Sequence, residues 1–180
     1  MDPNIENLKV YEYKNRYKDL FFALSHGVNF GKLKKGKSDE REKFIQMLME
    51  KFPKINYNIL GVSNHEPKWN YDYYEELSKC RIALNLSRGE PLKYTPSNRI
   101  ASLVGNGIYT FIDDKTRYRD FFDETEMGFY KNCDDLGNKI EKLLMFPKII
   151  NNYAKNGKQR YFYFFNNKKI SKNIIDKTFI

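Results

Sequence analysis

A chain of 180 residues with 41% hydrophobic and 31% charged side chains has the size and composition of one soluble globular domain with a buried core. The formal net charge of +9 points to an anionic partner: a phosphorylated small molecule, a nucleic acid or a membrane surface. The longest apolar runs, such as Leu20–Leu24 and Tyr161–Phe165, are far shorter than a bilayer span, and Met1-Asp2-Pro3-Asn4 lacks the apolar stretch of a signal peptide, so the expected location is cytoplasmic.

Residues 1–17 are polar and mixed and read as a lead-in. Leu20-Phe21-Phe22-Ala23-Leu24 is a short apolar run that meets Ser25-His26-Gly27, the pattern of a buried strand ending in a loop. That loop carries Lys32, Lys34 and Lys35, which read as added positive charge or as a solvated run. Ser38-Asp39 is suited to cap a helix running to Lys51, with Phe44, Ile45, Leu48 and Met49 on one face and Pro53 as its stop. Asn56–Val62 alternates and reads as a second strand. His65-Glu66 follows in its loop, as a general-base candidate or an ordinary surface pair, and Trp69 reads as a core or rim aromatic.

Tyr71–Lys79 is a predicted helix and Arg81–Leu86 a third strand. A loop then leads to Thr95-Pro96, a hydroxyl cap with proline at the first helical position. The helix so begun runs to Val104 and is closed by Gly105-Asn106-Gly107. Ile108–Ile112 is a fourth strand, Tyr118–Phe122 a short helix, Gly128–Tyr130 a fifth strand and Asp134–Met145 a helix. From Ile149 onward the chain reads as mostly helix, interrupted near Asn166-Asn167. Strands alternating with helices at this spacing define an α/β fold, a Rossmann-like parallel sheet with helices on both faces. Its ligands are expected at the carboxyl ends of the strands.

The expected organisation is a lead-in at 1–17, an α/β domain at 18–147 and a basic, aromatic helical extension at 148–180. From Lys148 onward there are eight Lys/Arg and one acid, Asp176, so this tail carries most of the excess charge. It reads as a solvated helix face or as an anionic footprint. Its Tyr161–Phe165 run reads as a packing face or as a membrane or nucleic-acid contact. Cys80 and Cys133 have no metal-ligand spacing and read as reduced, buried thiols. No metal centre is expected from two scattered His and two scattered Cys.

The most informative stretch runs from Ala83 to Arg99. It starts in a strand and ends in a helix, with Arg88, Gly89, Lys93 and a helix start between. Guanidinium forks and unpaired helix N–H groups suit phosphate oxygens, and Tyr94 suits stacking on a base or sugar ring. The run Ser87-Arg88-Gly89, Lys93-Tyr94, Ser97-Asn98-Arg99-Ile100, Gly105-Asn106-Gly107 and Thr110-Phe111-Ile112-Asp113 resembles the C-terminal half of GT-B glycosyltransferases, in particular the CgeB-like branch of the group 1 superfamily. Glu126-Met127-Gly128-Phe129-Tyr130, Asp134-Asp135-Leu136 and the tail positions Gly157, Tyr161 and Phe165-Asn166 extend the similarity.

The resemblance implies a domain that binds a nucleoside-diphosphate sugar, faces a separate acceptor-binding domain or chain, and needs no cofactor beyond that substrate and no metal. It implies binding roles for Ser25 and Gly27 in the first loop. After the third strand it implies the same for Arg88, Glu90, Lys93, Tyr94, Ser97, Asn98 and Arg99. Many relatives carry two glutamates with seven residues between them here; Glu90 matches the first, and Asn98 stands where the second would be. No catalytic residue is assigned. The alternatives are a basic nucleic-acid-binding module, with peripheral membrane contact through the tail as a further option, and a catalytically inactive interaction domain with half a GT-B fold.

Overall fold

Five strands, β1 (Lys18–Ala23), β2 (Tyr57–Leu60), β3 (Cys80–Asn85), β4 (Tyr109–Asp113) and β5 (Gly128–Tyr130), lie in one sheet in the order β2-β1-β3-β4-β5, and every neighbouring pair is parallel. The computed structural model describes Asp2 and residues 4–24, 40–62, 65–95 and 97–179. The helices are α1 (Glu40–Lys51), α2 (Asn70–Ser78), α3 (Asn98–Val104), α4 (Cys133–Leu144), α5 (Pro147–Phe165) and α6 (Asn167–Thr178). This is the α/β, Rossmann-like architecture expected from the alternation of strands and helices.

The sheet is covered on both faces because its strands carry apolar side chains on both. In β1, Leu20 and Phe22 join one cluster while Phe21, between them, joins another. The first cluster takes Ile45 and Leu48 of α1, Leu136 and Ile140 of α4, and Ile150 and Ala154 of α5. The second takes Leu77 of α2 and Leu103 of α3. Burying each such side chain contributes roughly 1.5–3 kcal/mol. Cys80 and Cys133 are free and buried. Burial pushes the Cys80 thiol up to about 12, so it is an inert, protonated core residue at neutral pH.

Two expectations need correction and a third is refined. First, α3 does not start at Thr95-Pro96. Ser97 is its N-cap and accepts from the Arg99 N–H at 3.2 Å, while the Thr95 hydroxyl donates to the Leu92 carbonyl at 3.0 Å. Two cap-type residues compete here, and the loop's own turn takes the first. The helix is therefore only seven residues long.

Second, the lead-in is packed. Val10 is fully buried, its N–H donates to the Asn106 carbonyl, and the Leu8 N–H donates to the Asn106 side chain at 3.1 Å. Third, the tail is not one extension. The α5 helix is part of the fold, with Tyr161 and Phe165 stacked on Phe122, whereas α6 buries no residue. The break between them is at Asn166, whose side chain caps α6 by accepting from the Lys169 N–H at 2.9 Å.

Gly61 shows how closely the strand ends approach one another. It has a φ of +73°, and a Cβ at this position would run into the Leu24 carbonyl. The left-handed backbone costs an L-residue about 1–2 kcal/mol and the backbone clash adds more, so Gly61→Ala is expected to destabilise the fold by at least about 2 kcal/mol. Urea unfolding of the two proteins checks this; an unchanged midpoint would contradict it.

Candidate functional site

In a sheet of order 2-1-3-4-5 the chain winds outward from β1 to β2, then crosses back over β1 to β3. The loops leaving β1 and β3 therefore diverge and open a crevice at the carboxyl edge. A cleft of 680 Å³ occupies that position. Its floor is made by strand ends: Ala23 and Leu24 at the end of β1, Leu60 of β2, Asn85 and Leu86 at the end of β3, and Ile112 of β4. One wall is the segment from Pro67 to Asn70 with Tyr73 and Tyr74 of α2; the other is Ser87, Arg88, Glu90 and Leu92 with Ser97, Asn98, Arg99 and Ser102.

The lining is electropositive. Among the described residues its charged side chains are Arg41, Lys68, Arg88 and Arg99 against a single acid, Glu90. Arg88 is exposed and, among the described residues, unpaired. Arg99 donates to the Leu86 carbonyl at 2.9 Å and lies over the Phe22 ring, so part of its role is to tie α3 to the end of β3. Glu90 is 86% exposed and lies 3.6 Å from Lys115, across from the end of β4. An exposed pair of this kind contributes little to stability, and both groups remain available to a ligand.

The expected site residues divide into three groups. Arg88, Glu90, Ser97, Asn98 and Arg99 share the cleft lining. Ser25 and Gly27, with His26 and the lysines that follow, lie outside the described residues. Lys93 and Tyr94 stand outside the cleft. Tyr94 adopts a φ of +56°, which turns the chain; its hydroxyl donates to Asp120, and its ring meets Phe121 edge-on at 5.1 Å. Lys93 sits over that same ring, 4.6 Å from its centroid. Both side chains are held by the turn after β4, through contacts that a loop sequence does not reveal. His65 and Glu66 are also absent from the lining, whereas Trp69 is on its rim and 49% exposed.

The sequence reading missed Arg41, Lys68, Tyr73, Ser102 and Asn85. Arg41, Lys68 and Tyr73 come from the α1 and α2 segments, distant in sequence from the end of β3, and Ser102 lies one helical turn beyond Asn98. Asn85 carried a legible signal: it is the one polar residue in the run from Ile82 to Leu86, and it stands at the carboxyl end of the central strand. It is 3% exposed, and its Oδ1 has no hydrogen-bond partner among the described residues. A buried acceptor left unsatisfied costs about 1–3 kcal/mol.

The α2 wall is fixed through Glu76. Burial alone would push its carboxyl up, but hydrogen bonds from Lys68 (2.8 Å), Asn58 (3.0 Å) and Lys79 (3.1 Å) outweigh it and hold the group at about 2. A depressed carboxyl contributes stability that is fully present above its ordinary value of 4.5 and is lost as pH falls toward 2. Discounted for solvent screening, Glu76→Gln is expected to cost about 1–2 kcal/mol at pH 7. The difference from the parent protein is expected to vanish near pH 2, and paired unfolding curves across that range would show it. A gap that persists at low pH would contradict the assignment.

Among the described residues, no group of three or more His, Cys, Asp or Glu is placed to hold a metal ion, and no helix is long and apolar enough to cross a membrane.

The fold and the position of the cleft define a class, the Rossmann-like C-terminal domain of GT-B glycosyltransferases. Solved structures with this fold include TarM (10% identity, TM-score 0.66), where the match covers 92% of this chain and 36% of that one. They also include sucrose-phosphate synthase from Thermosynechococcus elongatus (13% identity, TM-score 0.55, 88% of this chain and 37% of that one). A third is the C-terminal domain of the group 1 family glycosyl transferase LpcC from Francisella tularensis (10% identity, TM-score 0.51, 91% of each chain). The chain thus spans about a third of the length of the first two. A family model described as glycosyl transferase-like matches residues 40–176, and the chain belongs to that family. No curated protein shows a significant sequence match.

Proposed function

We propose that the cleft binds a nucleoside-diphosphate sugar, and that the chain is the donor-binding part of a glycosyltransferase of the CgeB-like branch that works against a facing acceptor-binding domain or chain. The observation that carries this reading is the excess of basic over acidic side chains around a crevice at the topological switch point of the sheet. Phosphate oxygens are the ligand groups that such a lining favours.

In this reading Arg88 binds the diphosphate, aided by the positive field of Arg41, Lys68 and Arg99. Trp69, Tyr73 and Tyr74 offer apolar ring faces along the α2 wall for the base or a sugar. Ser97, Asn98 and Glu90 are hydrogen-bonding groups for hydroxyls. When the bond from the anomeric carbon to the leaving phosphate oxygen breaks, its electron pair stays on the diphosphate. The fixed cations stabilise that charge as it develops. The acceptor hydroxyl supplies the new bond, and its proton passes to a base outside the chain described here.

The exposed face of α6 suits the role of contact for the facing domain. Ile170 is 40% exposed, Ile174 60% and Ile175 55%, and no residue of the helix is buried. A helix of about 12 residues with no packed face is marginal in water, so a covering partner would stabilise it.

Trp69 is the only tryptophan of the chain and stands on the rim of the cleft, so its fluorescence reports directly on occupancy. Titration with UDP, GDP and their sugar conjugates is expected to give a saturable change with at least one of them. A flat response to all, together with unchanged thermal stability, would remove the nucleotide-sugar reading and favour an inactive interaction domain.

A further inference from the structure

We infer that Asn85 reads a sugar-ring hydroxyl of the ligand at the floor of the cleft, an inference that rests on the nucleotide-sugar reading above. Three observations converge on this residue. It ends the central strand and is 3% exposed; it lines the cleft; and its amide oxygen has no partner among the described residues. Its strand neighbours Ile82, Ala83, Leu84 and Leu86 are all buried and apolar. A leucine at position 85 would match their packing and leave no acceptor unsatisfied. An orphan acceptor kept in such a place is explained when something outside the chain satisfies it.

Among the described residues, no donor reaches that oxygen. Arg99 of α3 gives its N–H to the carbonyl of the adjacent residue, Leu86, and passes the Asn85 amide oxygen by. The missing donor is therefore supplied by the ligand. Phosphate oxygens only accept; the base carries N–H donors on its edge, but in this reading it stacks on Trp69, Tyr73 and Tyr74 at the α2 wall, away from the floor. The groups left to donate are hydroxyls of the two sugar rings that flank a diphosphate, the ribose and the transferred sugar. A hydroxyl that satisfies a buried carbonyl is discriminated sharply, because an analogue lacking it leaves the acceptor unpaired.

The test uses Asn85→Leu and Asn85→Ala, with UDP and UDP-glucose as probes, or GDP and GDP-mannose where the parent protein prefers guanine. The leucine variant is expected to melt at or above the parent temperature, since it removes an unsatisfied acceptor. Both variants are expected to bind at least tenfold more weakly. A loss equal for diphosphate and sugar conjugate assigns the ribose, and the 2′- and 3′-deoxy diphosphates then bind the parent as weakly as the variants bind the natural one. A loss confined to the conjugate assigns the transferred sugar.

Affinity within twofold of the parent in both arms overturns the inference and leaves the cleft reading intact, and so does a loss for the diphosphate that neither deoxy form reproduces in the parent. If the leucine variant does not fold, the alanine variant carries the same comparison. Absence of binding by the parent to all four probes defeats the cleft reading itself and this inference with it.

Discussion

Sugar transfer is expected only when the chain meets a facing acceptor-binding domain; alone, it is expected to hydrolyse a donor slowly at most. The reason is geometric. The cleft has a floor of strand ends and two walls. Nothing among the described residues closes over it to hold an acceptor in line with the anomeric carbon. Holding two reactants in a reactive geometry is worth up to roughly 7–11 kcal/mol in favourable cases. A donor site without its opposite wall forfeits most of that and leaves the anomeric carbon open to water.

The measurement is a turnover assay with labelled nucleotide sugars and a panel of acceptors, with and without a separate acceptor-binding chain. Sustained multiple-turnover transfer by this chain alone would contradict the account. A large gain on adding the second chain, lost when Ile174→Asp is placed on the exposed face of α6, would support both the division of labour and the docking surface.

Arg88→Ala is expected to weaken diphosphate binding by more than about 1.5 kcal/mol, roughly tenfold, with the fold intact. The other cations of the lining have structural partners. Lys68 is paired with Glu76 at 2.8 Å, and Arg99 donates to the Leu86 carbonyl. Arg88 is exposed and unpaired among the described residues, so its removal takes away charge without removing packing. Calorimetry on the variant, with its unfolding midpoint measured alongside, separates the two roles. Unfolding of the variant with unaltered affinity per folded molecule would make Arg88 structural. Lys93→Ala, by contrast, is expected to leave affinity within about twofold, since Lys93 lies on Tyr94 outside the cleft.

What the sequence reveals is what local periodicity controls. The strands of this sheet are short apolar runs bounded by turn residues, and each appears within two residues of its expected place; Gly128–Tyr130 matches at both ends. The α5–α6 break at Asn166 is legible because asparagine is a good cap. The start of α3 is not, because Thr95 and Ser97 are both good caps and only the surrounding loop decides between them. The packed lead-in is hidden because Val10 and Leu8 follow no period; they are held by Asn106, about a hundred residues away.

The site shows the same limit. Arg88, Glu90, Ser97, Asn98 and Arg99 lie on one continuous stretch that enters the cleft, so sequence proximity finds them. Lys93 and Tyr94 lie on that stretch too, but a left-handed residue and a long-range contact to Asp120 turn them away. Arg41, Lys68 and Tyr73 reach the cleft because the strand order brings the α1 and α2 segments to the same sheet edge, which is a property of topology rather than of any local motif.

A cleft built for a diphosphate discriminates it from the bare nucleoside. Calorimetric titration of the chain with UDP and uridine, and with GDP and guanosine, at low and at physiological salt measures that discrimination. A diphosphate is expected to bind at least tenfold more tightly than its nucleoside, with a margin that narrows as salt rises, because the cations of the lining are partly exposed. Equal affinity for nucleoside and diphosphate at both salt concentrations would contradict it.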